Sequence, residues 1–482
     1  MTRSFSQILK NFSYTLLANV VSVLISSVVI LLLPKAMGVT QYGYWQLYLL
    51  YLNYISFFHF GLADGYYLRH SGKDYADLDR PQFAFMFWLL SAAMACLAAL
   101  TLLGTSLFSS DLHLPFSHRQ VICMIGLACL LVIPRVFVQF AWQASNRFKL
   151  NAWIIILERA FFLAFVAFFL LRRDSQAEHL IYFDLIGKGL ALILTLWAAR
   201  DLVFTKPCAW RSGLLENGRN IASGLNLMLA SLSSSLIIGV IQLTIERRWG
   251  IDTYSRIALT LSLSNLLMIF INALALVLLP HLKRVSEDDG KRIYRKMRCT
   301  LSLAILLLLN VYYPFRLLMQ RWLPNYAEGI AYMAILFPIC LFESKTQLVT
   351  NTYLKAYRRE RDILKANLLA FVLCAILIFI CAHLLMNLFL TVLSILVVLA
   401  FRAYISERYL ARISQMRVNM DSYLELIAAA VFVIANHQVG SWAGCLIYAA
   451  FSLIYIYIRR RPLLDAYGQF RRRKRNGGSD ES

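Results

Sequence analysis

ANVVSVLISSVVILLLPKAMGVTQYGYWQLYLLYLNYISFF, residues 18–58, contains two apolar runs joined by a short polar link centred on Gly38. Each run approaches the roughly 20 residues that cross about 30 Å of hydrocarbon as a helix. Lipid offers no water to the backbone, so a span must be a helix or part of a closed barrel. Runs this long without strict alternation read as helices. The same pattern continues to the end of the chain, in a composition that is 60% hydrophobic and only 15% charged. It places about 14 transmembrane helices, at 13–34, 42–62, 83–105, 119–141, 152–171, 179–199, 220–244, 254–280, 298–316, 327–346, 365–384, 386–406, 421–437 and 440–458. Asn436, His437 and Gln438 interrupt the last pair, which one kinked helix would also fit. The fold class expected is all-α integral membrane.

Lys and Arg are retained on the cytoplasmic side of a membrane, and their placement here is strongly uneven. With both termini in the cytoplasm, the inward loops hold Lys283, Arg284, Lys291, Arg292, Arg295, Lys296 and Arg298, then Arg358, Arg359 and Arg361, and the tail cluster Arg471 to Arg475. The outward loops then lie near Lys35, Asp111, Arg172, Arg247 and Arg321. The net charge of +22 is spread loop by loop, as orientation requires, and not as a nucleic-acid footprint. The basic tail suits anionic lipid head groups. The first apolar run is longer than a signal-peptide core and reads as an anchor. Most of the 9 Cys lie inside apolar runs with no Cys-x-x-Cys pair, so neither a disulfide framework nor a metal site is expected.

The opening stretch recurs. Shifted by 212 residues, Gly38 falls on Gly250, Tyr42 on Tyr254, Asn53 on Asn265, Ser22 on Ser234 and Lys35 on Arg247. The same shift lays Ala144, Arg147 and Lys149 on Ala356, Arg359 and Arg361. One offset at two distant places implies two six-helix bundles, 1–210 and 211–415, an extra helix pair, 416–458, and a basic cytoplasmic tail, 459–482. An even number of spans per unit makes the repeat parallel, with its pseudo-twofold axis along the membrane normal. This is the arrangement of transporters that rock two bundles around a central cavity.

LLPKAMGVTQYGYWQL, residues 32–47, and FGLADGYYLR, residues 60–69, resemble the Wzx-like polysaccharide and O-antigen flippases of the multidrug/oligosaccharidyl-lipid/polysaccharide exporter superfamily. The resemblance implies a flippase carrying an undecaprenyl-diphosphate-linked oligosaccharide across a bacterial inner membrane through a V-shaped, commonly cationic cavity. It also implies a lipid bilayer setting, polysaccharide-assembly proteins as possible partners, and no cofactor.

Ionisable groups within a span cost about 2.5 to 3.5 kcal/mol on insertion scales and usually face a cavity or a partner. Those read here are Arg135, Glu158, Arg159, Asp184, Lys188, Arg256, Glu343, Lys345 and Glu425. Arg135 follows Pro134, which loosens the local backbone ladder. Arg135, Arg159 and Lys188 are the candidate phosphate-binding cations, since guanidinium and ammonium groups complement phosphate oxygens. Asp184 and Lys188 are four residues apart and can pair on one helix face. Glu158 and Arg159 point about 100° apart and should find separate partners. Arg256 is placed to snorkel, and Glu343 and Lys345 either snorkel or form a gating pair. The repeat-related Asn53 and Asn265 suit interhelical hydrogen bonding or a substrate path equally. Asp64 caps a helix end or closes a gate, and His59 reads as packed.

An enzyme acting on lipid-linked sugars, such as a polymerase, ligase or glycosyltransferase, is the rival class. No long outward loop and no helical metal, phosphate-loop or serine-nucleophile motif supports one. A multidrug exporter or a lipid II flippase would share the architecture expected here.

Overall fold

The computed structural model describes residues 2–107, 116–282, 301–303, 305–357, 359–413, 421–438 and 441–458. The expected basic loop at 283–298, the outward loop at Asp111 and the tail 459–482 lie outside these residues. The described residues are almost entirely helical. Ten of their helices are long and apolar enough to cross a membrane, and two shorter apolar helices follow at Tyr423–His437 and Ala443–Tyr457. This is an all-α membrane protein.

The first half comprises α1 (Thr2–Met37), α2 (Val39–Ile55), α3 (Leu62–His70), α4 (Arg80–Leu107), α5 (Phe116–Ala144), α6 (Phe148–Leu171) and α7 (Ala177–Ala198). Next comes α8 (Trp210–Leu282), a helix kinked at Gly250 that accounts for two of the expected spans. The chain divides into two compact units, residues 1–259 and 260–482. The first unit therefore includes α8 as far as Leu259.

Gly38 and Gly250 adopt nearly the same backbone conformation, φ 75 and ψ 172 against φ 83 and ψ 172. That region is open essentially to glycine alone. The residues that the 212-residue shift lays over each other thus make the same sharp link between two helices. Around them, Ser255 Oγ donates to Val39 O at 2.6 Å, and a Cβ on Gly43 would sit 2.8 Å from Ile251 Cγ1. Under the shift Val39 corresponds to Ile251 and Gly43 to Ser255, so these two contacts are mates, as a twofold relation requires.

The span expected at 42–62 is not one helix. α2 stops at Ile55, a 3-10 turn covers Ser56–His59, and Phe60 and Gly61 take positive φ before α3 begins. The break brings Gly61 and Gly65 against α8. A Cβ on Gly65 would lie 1.7 Å from Asn220 O, and one on Gly224 would lie 2.1 Å from Gly61 O. Farther along, Tyr54 Oη donates to Ser235 O at 3.0 Å.

In the second unit, α9 (Tyr312–Trp322) leads into the region expected as a helix at 327–346. That region is a series of short helical pieces interrupted at Tyr332 and at Phe337 and Pro338, with a π-helical turn over Lys345–Thr350. Pro338 supplies no N–H and crowds the preceding turn. Thr260 Oγ1 donates to Gly329 O at 3.0 Å. Next come α10 (Glu360–Ile378) and α11 (Leu388–Ile413), then α12 (Asp421–Gln438) and α13 (Ser441–Ile458). α12 and α13 are separate helices packed on each other, since a Cβ on Gly444 would come 2.8 Å from Ala435 O. Asn436 does not break α12. Its amide donates to Phe432 O within the helix and to Tyr313 Oη on α9.

Candidate functional site

In the first unit, the intramembrane charges expected to form a cationic region are largely paired. Arg135 Nη1 donates to Glu158 Oε2 at 2.6 Å, joining α5 to α6. Lys188 donates to Asp184 Oδ2 one turn away on α7, and Tyr48 Oη on α2 donates to the same carboxylate oxygen at 2.7 Å. Tyr48 is fully buried, and Trp45 stacks on both Tyr48 and Phe162 at 5.6 and 5.8 Å, so α2, α6 and α7 meet around an aromatic wall. A buried ion pair needs such additional hydrogen bonds, because desolvation otherwise offsets its attraction.

Arg159 is different. It lies next to Glu158 but turned around α6, is half-buried, and has no ion-pair or hydrogen-bond partner among the described residues. The five charges Arg135, Glu158, Arg159, Asp184 and Lys188 thus leave one uncompensated positive charge, on Arg159. Asn53 and Asn265 are both exposed, and neither makes a hydrogen bond among the described residues.

At the Gly61 end, Asp64 lies in the first turn of α3, 3.8 Å from His59 Nε2. Burial raises its carboxyl pKa to about 6. His59 is buried and accepts from Gly61 N–H at 3.0 Å, so it is packed. Nearby, Arg69 Nη1 pairs with Glu216 Oε1 and donates to Asn220 Oδ1, both at 2.6 Å, joining α3 to α8 beside the glycine crossing.

In the second unit, Glu343 and Lys345 pair with other residues and not with each other. Arg402 on α11 pairs with Glu343, which also accepts from Gln347 at 3.0 Å. Lys345, 5% exposed, pairs with Glu407 at 2.8 Å and with Glu425 at 2.6 Å. Glu425 also accepts from Ser302. The π-turn that starts at Lys345 therefore anchors α11 and α12 through charge. Arg402 and Glu407 belong to this network but escaped the sequence reading. Arg402 was visible as a charge inside the apolar run 386–406, whereas Glu407 falls just beyond its end. Tyr48 gave no signal, because a tyrosine within an apolar run reads as core. Arg256 is half-buried.

No protein-family profile and no curated protein matches the sequence. Solved structures do match the fold. The lipid II flippase MurJ, inward closed, aligns over 92% of this chain and 98% of its own, with TM-score 0.62 and 12% identity. An inward-facing multidrug resistance MATE family transporter of the MOP superfamily aligns over 86% and 98%, with TM-score 0.58 and 11% identity. The chain shares the fold of these MOP-superfamily structures. The Vibrio cholerae MATE transporter VcmN, in a point-mutant form, aligns over 84% and 97%, with TM-score 0.57 and 13% identity. At these identities the likeness concerns architecture, and function has to be argued from the residues.

Proposed function

We propose that this chain is a flippase moving an undecaprenyl-diphosphate-linked oligosaccharide across the bacterial inner membrane, for surface polysaccharide or O-antigen assembly. It works by alternating access, with both termini in the cytoplasm, and makes or breaks no covalent bond. The observation that carries this reading is Arg159. It is a half-buried guanidinium on a membrane-spanning helix, next to Glu158, whose carboxylate Arg135 already engages, in a unit where Lys188 and Tyr48 engage Asp184. A charge at this depth is costly without a partner, and an arriving diphosphate would supply one as a forked, charge-assisted contact. Arg135 and Lys188 assist by holding Glu158 and Asp184 away from the anion. Asn53 and Asn265, exposed and without internal hydrogen bonds, would meet sugar hydroxyls. Asp64, with the Arg69 and Glu216 pair, serves the gate at its end of α3. The MOP fold and the likeness to a flippase of a lipid-linked substrate support the same conclusion.

The test is purified protein in proteoliposomes, given a fluorescent lipid-linked oligosaccharide and, separately, a cationic drug. Arg159→Ala should insert normally and lose most of the leaflet exchange, and Arg159→Lys should retain part of it. Parental exchange by Arg159→Ala would remove the diphosphate assignment. Drug transport without lipid exchange would move the chain to the exporter reading.

A further inference from the structure

We propose that a pocket between the N-terminal portions of α2, α5 and α7 binds a single neutral pyranose ring. This deepens, and rests on, the reading of the cargo as a glycan. The cavity measures about 220 Å³, below the roughly 300–1,000 Å³ usual for drug-sized ligands. It has room for one sugar ring rather than a chain. Its lining combines Gln41 and Tyr44 of α2, Gln120 of α5 and Glu178 of α7 with an apolar floor that includes Val121 and Met124.

The two amides are held in known orientations by what they touch. Gln41 Oε1 accepts from the backbone N–H of Ala177 at 3.0 Å, so the Gln41 amide N–H groups remain as donors. Gln120 Nε2 donates to Glu178 Oε2 at 2.9 Å, and a carboxylate only accepts, so Gln120 Oε1 remains as an acceptor. The other Glu178 oxygen accepts from Tyr182 Oη at 3.2 Å. One lining therefore offers a preset donor, a preset acceptor and a fixed carboxylate. Adjacent hydroxyls, each able to donate and accept, match that set, while the apolar floor and the Tyr44 ring suit the C–H face of a pyranose.

Three helix N-termini alone would favour an anion. Here Gln41 already satisfies the first amide of α7, and Glu178 in its first turn supplies the negative charge. A second anion, whether phosphate or uronate, would meet repulsion. The preference is for an uncharged sugar.

Saturation-transfer NMR can decide, with the full chain in a detergent lacking a sugar head group. The probes are methyl glycosides of glucose, galactose, mannose and N-acetylglucosamine, with methyl glucuronide and inorganic phosphate as anionic comparisons. At least one neutral glycoside should receive transfer, and the anions should bind more weakly. Gln41→Glu keeps the acceptor for Ala177 and removes the donor, so it should weaken binding at least tenfold, with some loss of melting temperature from the second carboxylate beside Glu178. Gln120→Leu should weaken binding similarly. Transfer to no neutral glycoside, parental affinity in both variants, or stronger binding of the anions would overturn the site. If leaflet exchange persists while the pocket is silent, the site alone fails. If the pocket binds sugar but no exchange occurs, the flippase reading fails and the site stands.

Discussion

Thr40 Oγ1 donates to Asp252 Oδ1 at 2.7 Å, and Asp252 is the residue that the 212-residue repeat lays over Thr40. In a twofold arrangement a residue can touch its own counterpart only near the axis. The Val39 to Ser255 and Gly43 to Ile251 contacts flank this point as mates. In a twofold repeat the axis would therefore pass between Thr40 and Asp252, just beyond the two glycine links. Any motion that separates the two copies at this end must break the pair.

A cysteine pair tests that placement. In a background with the native cysteines replaced, Thr40→Cys with Asp252→Cys should form an intramolecular crosslink on mild oxidation. Thr40→Cys with Ser223→Cys, toward the other end of α8, should not. Equal crosslinking of both pairs, or of neither, would mean that the axis lies elsewhere. If opening at this end is part of the cycle, the crosslink should also stop leaflet exchange, with recovery on reduction.

The glycine crossing between α3 and α8 makes a second expectation. Gly65→Ala would place a methyl 1.7 Å from Asn220 O, so backbone must move, and overpacking of this kind costs about 1–3 kcal/mol. Gly218→Ala, in α8 with nothing within 4 Å, should be neutral or stabilising by up to about 1 kcal/mol through helix propensity. Thermal unfolding in detergent compares the two directly. Equal midpoints would show that the crossing is loose.

The apolar runs and the repeat were legible in the sequence because both are linear signals. Gly38 over Gly250 needed only one offset. The break after Ile55 was not legible, because no proline marks it and the close packing of Gly61 and Gly65 against Asn220 and Gly224 involves residues far along the chain. Which charges are paired was also hidden. Asp184 with Lys188 could be read from helix spacing, whereas Arg135 with Glu158 requires knowing that α5 and α6 meet at that level. The amide pocket left no trace, since isolated glutamines near helix starts look like interfacial polarity.

Asp64 should make stability depend on pH. Its carboxyl titrates near 6 in the folded chain, against about 3.9 in an unfolded one. Between these values the folded state binds more protons, so stability falls as pH rises from about 4 to about 6. His70, whose pKa burial lowers, acts in the opposite sense, losing stability as pH falls. Comparison with Asp64→Asn isolates the carboxyl. The parent's melting temperature relative to the variant should be higher at pH 4.5 than at pH 7, and a constant difference would show that the carboxyl is not desolvated.

The Arg135 and Glu158 pair permits the sharpest energetic test. Their side chains are 10% and 12% exposed, so removing one leaves a poorly solvated charge, a loss of about 3–5 kcal/mol. Arg135→Leu or Glu158→Leu alone should therefore lower the melting temperature strongly. The double variant removes both charges and their desolvation cost together, and should recover most of the parental value, since apolar replacement of a buried pair is often neutral or stabilising. Leaflet exchange then separates structure from chemistry. A stable double variant that still moves the lipid-linked glycan confines Arg135 to holding Glu158, with Arg159 left to meet the diphosphate. A stable double variant that has lost exchange puts Arg135 in contact with the cargo. Additive losses in the two single variants, with no recovery in the double, would show that the two side chains are not coupled and that the pairing is wrong.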